Sequence, residues 1–175
     1  EKTLIVSANR ATDLLHLIEL KKRFGLKVVI GGGGQSLPIA DQLAKAQIPV
    51  LIQPMQNLPS GFDRLHKGLD YAGKLSKAGV KVILYDYDAH NMYQMRFSAG
   101  NAVSYGMSKQ EALKAMTANV ADAFDIDAGT IEVGKPADLV LWSSDLFELD
   151  SYVVKMWIGG KEYSTETRQD KLRDR

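Results

Sequence analysis

Short apolar runs alternate with amphipathic stretches along most of the chain. Leu4-Ile5-Val6 is rich in β-branched residues; after it, Leu14, Leu15, Ile18 and Leu20 recur at helical spacing until Gly25 stops the helix. The same order then repeats. Lys27-Val28-Val29-Ile30 reads as a strand, Gly31 to Gly34 as a loop and Leu37 to Ala46 as a helix. Pro49-Val50-Leu51-Ile52 is the next strand, and a long loop containing Pro54 and Pro59 leads to a helix near Leu69 to Ala78, closed by Gly79. Val80 to Tyr87 is a further strand and Met92 to Tyr105 its helix, ended by Gly106. Ser108 and Glu111 have capping-box spacing and open a helix through Leu113 and Met116.

Each strand is a near-continuous apolar run, the pattern of a strand buried on both faces. Strands alternating with helices of about 10–15 residues predict βαβ units and a parallel sheet. About four such units with right-handed crossovers fit half of an eight-fold barrel, and they fit a small doubly-wound open sheet equally well. After Phe124 the order changes. Gly129 to Glu132, Ala137 to Trp142 and Tyr152 to Ile158 read as strands with no helix between them, and Gly159-Gly160 as a hairpin turn. Residues 1–124 are therefore expected to form the α/β part, 125–163 a β-strand segment, and 164–175 a charged, solvated tail.

Composition narrows the function classes. The chain has 175 residues, a formal net charge of +1 and no cysteine. It is long enough for a sizeable core. The charge balance gives no electrostatic case for nucleic acid or a membrane surface, and no apolar stretch approaches the roughly 20 residues that span a bilayer. Thiolate ligands, disulfides and a cysteine nucleophile are excluded. The start, Glu1-Lys2-Thr3, enters a strand so abruptly that Glu1 reads as a cut or processed end.

From Tyr105 onward the residues carry a more specific signal. Tyr105-Gly106-Met107-Ser108, Glu111-Ala112-Leu113, Met116-Thr117-Ala118-Asn119-Val120-Ala121 and Gly129-Thr130-Ile131-Glu132-Val133-Gly134-Lys135-Pro136-Ala137-Asp138-Leu139-Val140-Leu141-Trp142 resemble the amidohydrolase superfamily. Upstream, Ala8-Asn9-Arg10-Ala11-Thr12-Asp13-Leu14 and Asp88-Ala89-His90-Asn91 resemble its imidazolonepropionase-related branch. The resemblance implies the C-terminal half of a TIM-type (β/α)8 barrel, carrying its fifth to eighth strands, followed by a segment of a small β-sandwich. It implies hydrolysis of amide-like or cyclic C–N bonds of a small-molecule substrate by a water that a divalent metal, zinc in the first instance, activates. The missing N-terminal half-barrel, or another copy of the chain in an oligomer, would be its partner. Members of this branch often carry export signals, which implies a periplasmic location.

In the superfamily, ligands come from a His-x-His on the first barrel strand, a His at the end of the fifth, a His at the end of the sixth and an Asp at the end of the eighth. Here Ser7 or Asn9 stands at the end of the fifth strand and glycines at the end of the sixth. Neutral Ser and Asn are weak ligands for first-row metals. Asp86, Asp88 and His90 share parity at the end of the eighth. By the resemblance Asp88 is the proton-accepting Asp and metal ligand, with Asp86 as the alternative and His90 as a second catalytic residue. The alternative is that these residues cap the next helix, with Asn91 as N-cap.

The substrate-binding candidates are Asn9, Arg10, Gln53 and Asn91. Arg10 offers a planar fork to a carboxylate, against the alternative of a helix-entry salt bridge to Asp13. Gln53 ends the third strand of this chain. Gly31 to Gly34 precede a helix, so a phosphate cradle competes with a plain tight loop, but no P-loop Lys follows. His16 and His66 lack partners at ligand spacing, and Trp142 and Trp157 are expected to pack in the β segment. Two function classes remain: a hydrolase, and a catalytically degenerate barrel that binds a small polar ligand or serves as an assembly half.

Overall fold

The computed structural model describes residues 2–86 and 89–173. The chain folds as two compact units, divided between Gly129 and Thr130. In the first, β1 (Leu4–Ala8), β2 (Val28–Gly32), β3 (Val50–Ile52) and β4 (Val82–Leu84) form a parallel four-stranded sheet in sequence order. Between them run α1 (Ala11–Phe24), α2 (Ala40–Lys45) and α3 (Tyr71–Lys77). This is a mixed α/β fold, as the alternation of apolar runs predicts. Parallel neighbours need a crossover, and each crossover here carries a helix.

In β2, β3 and β4 residues of both parities are buried or half-buried, as their apolar runs require, whereas β1 at the sheet edge leaves Leu4 and Ile5 exposed and departs from that expectation. Val28, Ile30, Val50, Ile52, Val82 and Leu84 face one side and Val29, Leu51 and Ile83 the other. Leu14 and Leu17 of α1, Leu43 of α2 and Leu75 of α3 join the core. After β4 come α4 (Met95–Ser104), α5 (Lys109–Met116) and α6 (Ala118–Phe124). Ser108 Oγ accepts from Glu111 N at 3.2 Å, so the capping residue opens α5 as its spacing predicts. Val120, Ala123 and Phe124 of α6 pack on Val29, Leu51 and Ile83.

α6 is also fastened to the N-terminal ends of the strands. Thr3 Oγ1, just before β1, donates to Ala123 O at 2.8 Å, and Asn119 Nδ2 donates to Val82 O, also at 2.8 Å. Lys27 pairs with Asp125 and Lys81 with Asp122 beside them. With α6 at the N-terminal ends, the C-terminal ends and the loops that follow them remain for a site, the position where parallel sheets carry function.

The second unit holds β5 (Leu139–Trp142), β6 (Val153–Ile158) and β7 (Lys161–Tyr163) in an antiparallel sheet, then α7 (Arg168–Arg173). Gly159 and Gly160 have φ of 57° and 77°, the left-handed pair that a two-residue hairpin needs. Asp138 Oδ1 accepts from Gly159 N at 2.7 Å and Ala137 O from Gly160 N at 3.0 Å, which gives the Ala-Asp pair of the motif a structural task. Trp142 and Trp157 are half-buried on this sheet.

Three expectations need correction. Gly129 to Glu132 is not a strand: Gly129 and Gly134 take φ of 85° and 92°, and the segment turns instead of pairing. The strand expected over Val80 to Tyr87 is confined to Val82–Leu84. The helix expected from Met92 begins as a 3-10 helix over Ala89–Gln94 and becomes α-helical only at Met95. Among the described residues, no helix is long and apolar enough to cross a membrane.

Candidate functional site at the strand C-termini

The end of β1 and the glycine run after β2 are tied together atom by atom. Ala8 O accepts from Gly33 N and Asn9 O from Gln35 N, both at 2.8 Å. Asn9 Oδ1 accepts from Gly34 N at 3.1 Å, and Gln35 Oε1 accepts from Ala11 N in the first turn of α1 at 2.9 Å. The buried Tyr71 hydroxyl, at the start of α3, donates to Gly33 O and accepts from Ser36 N. Burial raises the Tyr71 pKa above the ordinary tyrosine value, and the bonds with Ser36 oppose that shift. The amides of Gly33, Gly34, Gln35 and Ser36 are thus all used within the protein. A phosphate cradle would need them free, so the glycine run is a tight loop.

Arg10 and Gln35 leave this knot on the same side. With Thr12, Phe62 and Asp63 they line a cavity of about 400 Å³. Phe62 and Asp63 belong to the long loop after β3, and Asp63 O sits against Gly34 closely enough that only glycine fits there. Arg10 is exposed and makes no ion pair with Asp13 among the described residues, so its guanidinium is available to a ligand. Nearby, Lys67 has its pKa lowered by burial and by Arg64, partly offset by Asp63.

Gln53 follows β3 directly. Its Nε2 is buried without a partner, and so are both amide atoms of the fully buried Asn57, which closes the 3-10 turn after Gln53. Buried amides in native proteins are satisfied by protein, by water or by ligand. Sequence reasoning singles out Gln53 but misses Asn57, Asp63 and Tyr71; nothing in their sequence neighbourhood marks them, because the loop fold brings them in.

The candidates after β4 are spread differently. Asp86 is half-buried and lines a second, apolar cavity of about 380 Å³ with Ile5, Leu51, Ile83, Met92 and Met95 among others. It does not share the Arg10 cavity. Parity places His90 on the strand; it lies instead on the 3-10 helix that follows and is exposed, because regular strand ends at Leu84. Asp88 and the side chain of Asn91 lie outside the described residues. His16 and His66 are exposed.

The donors at the ends of β1 and β2 do not fit a metal. Ser7 and Asn9 are neutral, Asn9 Oδ1 is engaged, and glycines fill the next strand end. Among the described residues no three His, Cys, Asp or Glu side chains are grouped to hold a metal ion.

The sequence profile of the Amidohydrolase family matches residues 10–163. The chain belongs to the amidohydrolase family. The imidazolonepropionase of Staphylococcus aureus (strain JH9) is 34% identical over 162 residues, covering 78% of this chain and 39% of that protein. Among solved structures, an amidohydrolase from Thermotoga maritima MSB8 superposes with a TM-score of 0.79 at 32% identity, over 91% of this chain and 43% of the other. Molinate hydrolase matches with a TM-score of 0.66 at 18% identity, over 93% of this chain and 42% of its own, which speaks to fold alone. The chain therefore spans about two fifths of these relatives.

Proposed function

We propose that this amidohydrolase chain is the C-terminal part of a (β/α)8-barrel hydrolase that cleaves amide-like or cyclic C–N bonds. The observation that carries this reading is the cavity of Arg10, Gln35 and Asp63 at the C-terminal ends of a parallel sheet, in a chain 34% identical to an imidazolonepropionase. Four parallel strands in sequence order with two unpaired edges are what half a barrel would present, and β5 to β7 would extend a small β-sandwich. The edges call for the other half-barrel or for a second copy of this chain.

In this reading Asp88 accepts the proton of the attacking water, with Asp86 as the alternative carboxylate and His90 as a lesser candidate. Arg10 holds a substrate carboxylate by its planar fork, and Asn9, Gln53 and Asn91 contact polar substrate atoms. The buried, unpartnered amide groups of Gln53 and Asn57 support a polar ligand in this region. A divalent metal such as zinc, which family members generally use to supply a water of lowered pKa, would need ligands beyond the ends of β1 and β2.

One observation favours a second reading. Asn9, one of the two positions that the resemblance offers for a metal-binding histidine at the end of β1, and the glycines after it are built into a hydrogen-bonded loop. That suits a barrel that binds a small polar ligand without hydrolysing it. The test is a panel of cyclic amides, N-acyl amino acids and thiocarbamates offered to the longest natural form of the protein, read by product release and by thermal shift. Hydrolysis of any member supports the enzyme; thermal stabilisation without turnover supports the binding barrel.

A further inference from the structure

We propose that Asn9, which with Ser7 is one of the two positions where the resemblance places a metal-ligating histidine, forms with the glycine run a positioning clamp, so that Asn9 and these glycines shape the mouth and give no ligand to a metal.

Three consecutive amides, those of Gly33, Gly34 and Gln35, bond to Ala8 O, Asn9 Oδ1 and Asn9 O in turn. Asn9 therefore engages both of its carbonyl oxygens on the neighbouring loop, and its remaining free group is the Nδ2 donor, which cannot ligate a cation. A neutral amide oxygen already accepting from Gly34 N is a weak ligand for a first-row metal. The clamp passes on to α1 through Gln35 Oε1 and Ala11 N, adjacent to Arg10. Arg10 and Gln35, on the two sides of that bond, both line the 400 Å³ cavity.

The glycines are the counterpart of Asn9. A Cβ at position 32 would lie 2.8 Å from Asn9 Oδ1, at a φ of +91° that side chains rarely adopt. A Cβ at position 33 would lie 2.6 Å from Ser36 Oγ, at a φ of +59°, and one at position 34 only 2.3 Å from Asp63 O. No side chain can stand at position 32 while Asn9 holds this geometry, whereas a Cβ at position 31 would meet nothing nearer than Ile5 Cγ2 at 3.6 Å. At position 32 the two strand ends have to change together. This stands whether or not the protein hydrolyses a C–N bond.

The test compares Asn9→Ala with Asn9→Asp in the longest natural form of the protein. Asp keeps an acceptor for Gly34 N and Ala removes it. The readouts are amide hydrogen exchange at Gly34 and calorimetric titration with zinc chloride. The clamp predicts a Gly34 amide that exchanges at least about tenfold faster in Asn9→Ala, recovers to near the parent rate in Asn9→Asp, and zinc isotherms that superimpose for the parent and Asn9→Ala. If Asn9→Ala does not fold, Asn9→Ser takes its place, being too short to reach Gly34 N. Unchanged Gly34 exchange in the variant that lacks the acceptor would overturn the proposal. So would zinc affinity that falls tenfold or more on that substitution, because Asn9 would then be a ligand.

Discussion

The Tyr71 hydroxyl sits between Gly33 O and Ser36 N, which are also bonded to each other at 2.9 Å and keep that bond if the hydroxyl goes. Tyr71→Phe should therefore cost about 0.5–1.5 kcal/mol, measurable by urea unfolding. The same residue gives the protein an alkaline limit. Its folded pKa is raised, so the unfolded chain releases this proton first and stability falls as pH rises above the ordinary tyrosine value of about 10. In Tyr71→Phe that part of the decline should vanish. The glycines separate space from backbone angle in a similar way. Gly34→Ala pushes a Cβ against Asp63 O and should cost about 1–3 kcal/mol by overpacking. Gly25, with φ of +65° and nothing within 4 Å of where a Cβ would stand, should lose only about 1 kcal/mol on the same change, from backbone strain alone. Equal losses at the two positions, in chemical denaturation, would contradict the close approach at Gly34.

Among the elements, α6 is held by two kinds of bond that differ in worth. Asn119 Nδ2 to Val82 O is partly buried, and Asn119→Ala should cost about 0.5–1.5 kcal/mol. The Lys81–Asp122 pair is largely exposed, so Asp122→Asn should change stability little, and less still in high salt. Thermal melts of the two variants at low and high ionic strength check the ranking. Elements are legible in the sequence where periodicity alone decides them. The apolar runs at residues 4–6, 28–30 and 50–52 are strands, Ser108 caps α5, and Gly159-Gly160 turn the hairpin. Local pattern misleads where a partner decides. Gly129 to Glu132 has strand composition but no ladder beside it, and the parity of Asp86 and His90 means nothing once the strand stops at Leu84. The site is legible in part for the same reason. Asn9, Arg10 and Gln53 follow directly from strand ends, whereas Asp63 comes to line the cavity, and Tyr71 to bond Gly33, by way of a long loop whose path no local pattern encodes.

For the whole molecule, the exposed edge strand β1 matters first; β4, at the other end of the sheet, is buried. Leu4 and Ile5 on the β1 edge are 45% and 58% exposed, surface that a closed barrel would cover. Sedimentation of the isolated 175-residue chain should show self-association. A monodisperse monomer at micromolar concentration would count against a second copy as occupant of that edge. The second unit contributes no large apolar side chain to the buried core among the described residues. The carboxylate proposed as base, Asp88 with Asp86 as the alternative, follows β4 in sequence and does not depend on the ends of β1 and β2. The most direct measurement is kcat/KM of Asp88→Asn against the parent, in the longest natural form of the protein, on whichever C–N substrate it hydrolyses. A loss of about 10²-fold or more, with Asp86→Asn much less affected, is the result expected of a proton-accepting base. Parent-like turnover in Asp88→Asn would contradict the hydrolase mechanism proposed for this chain.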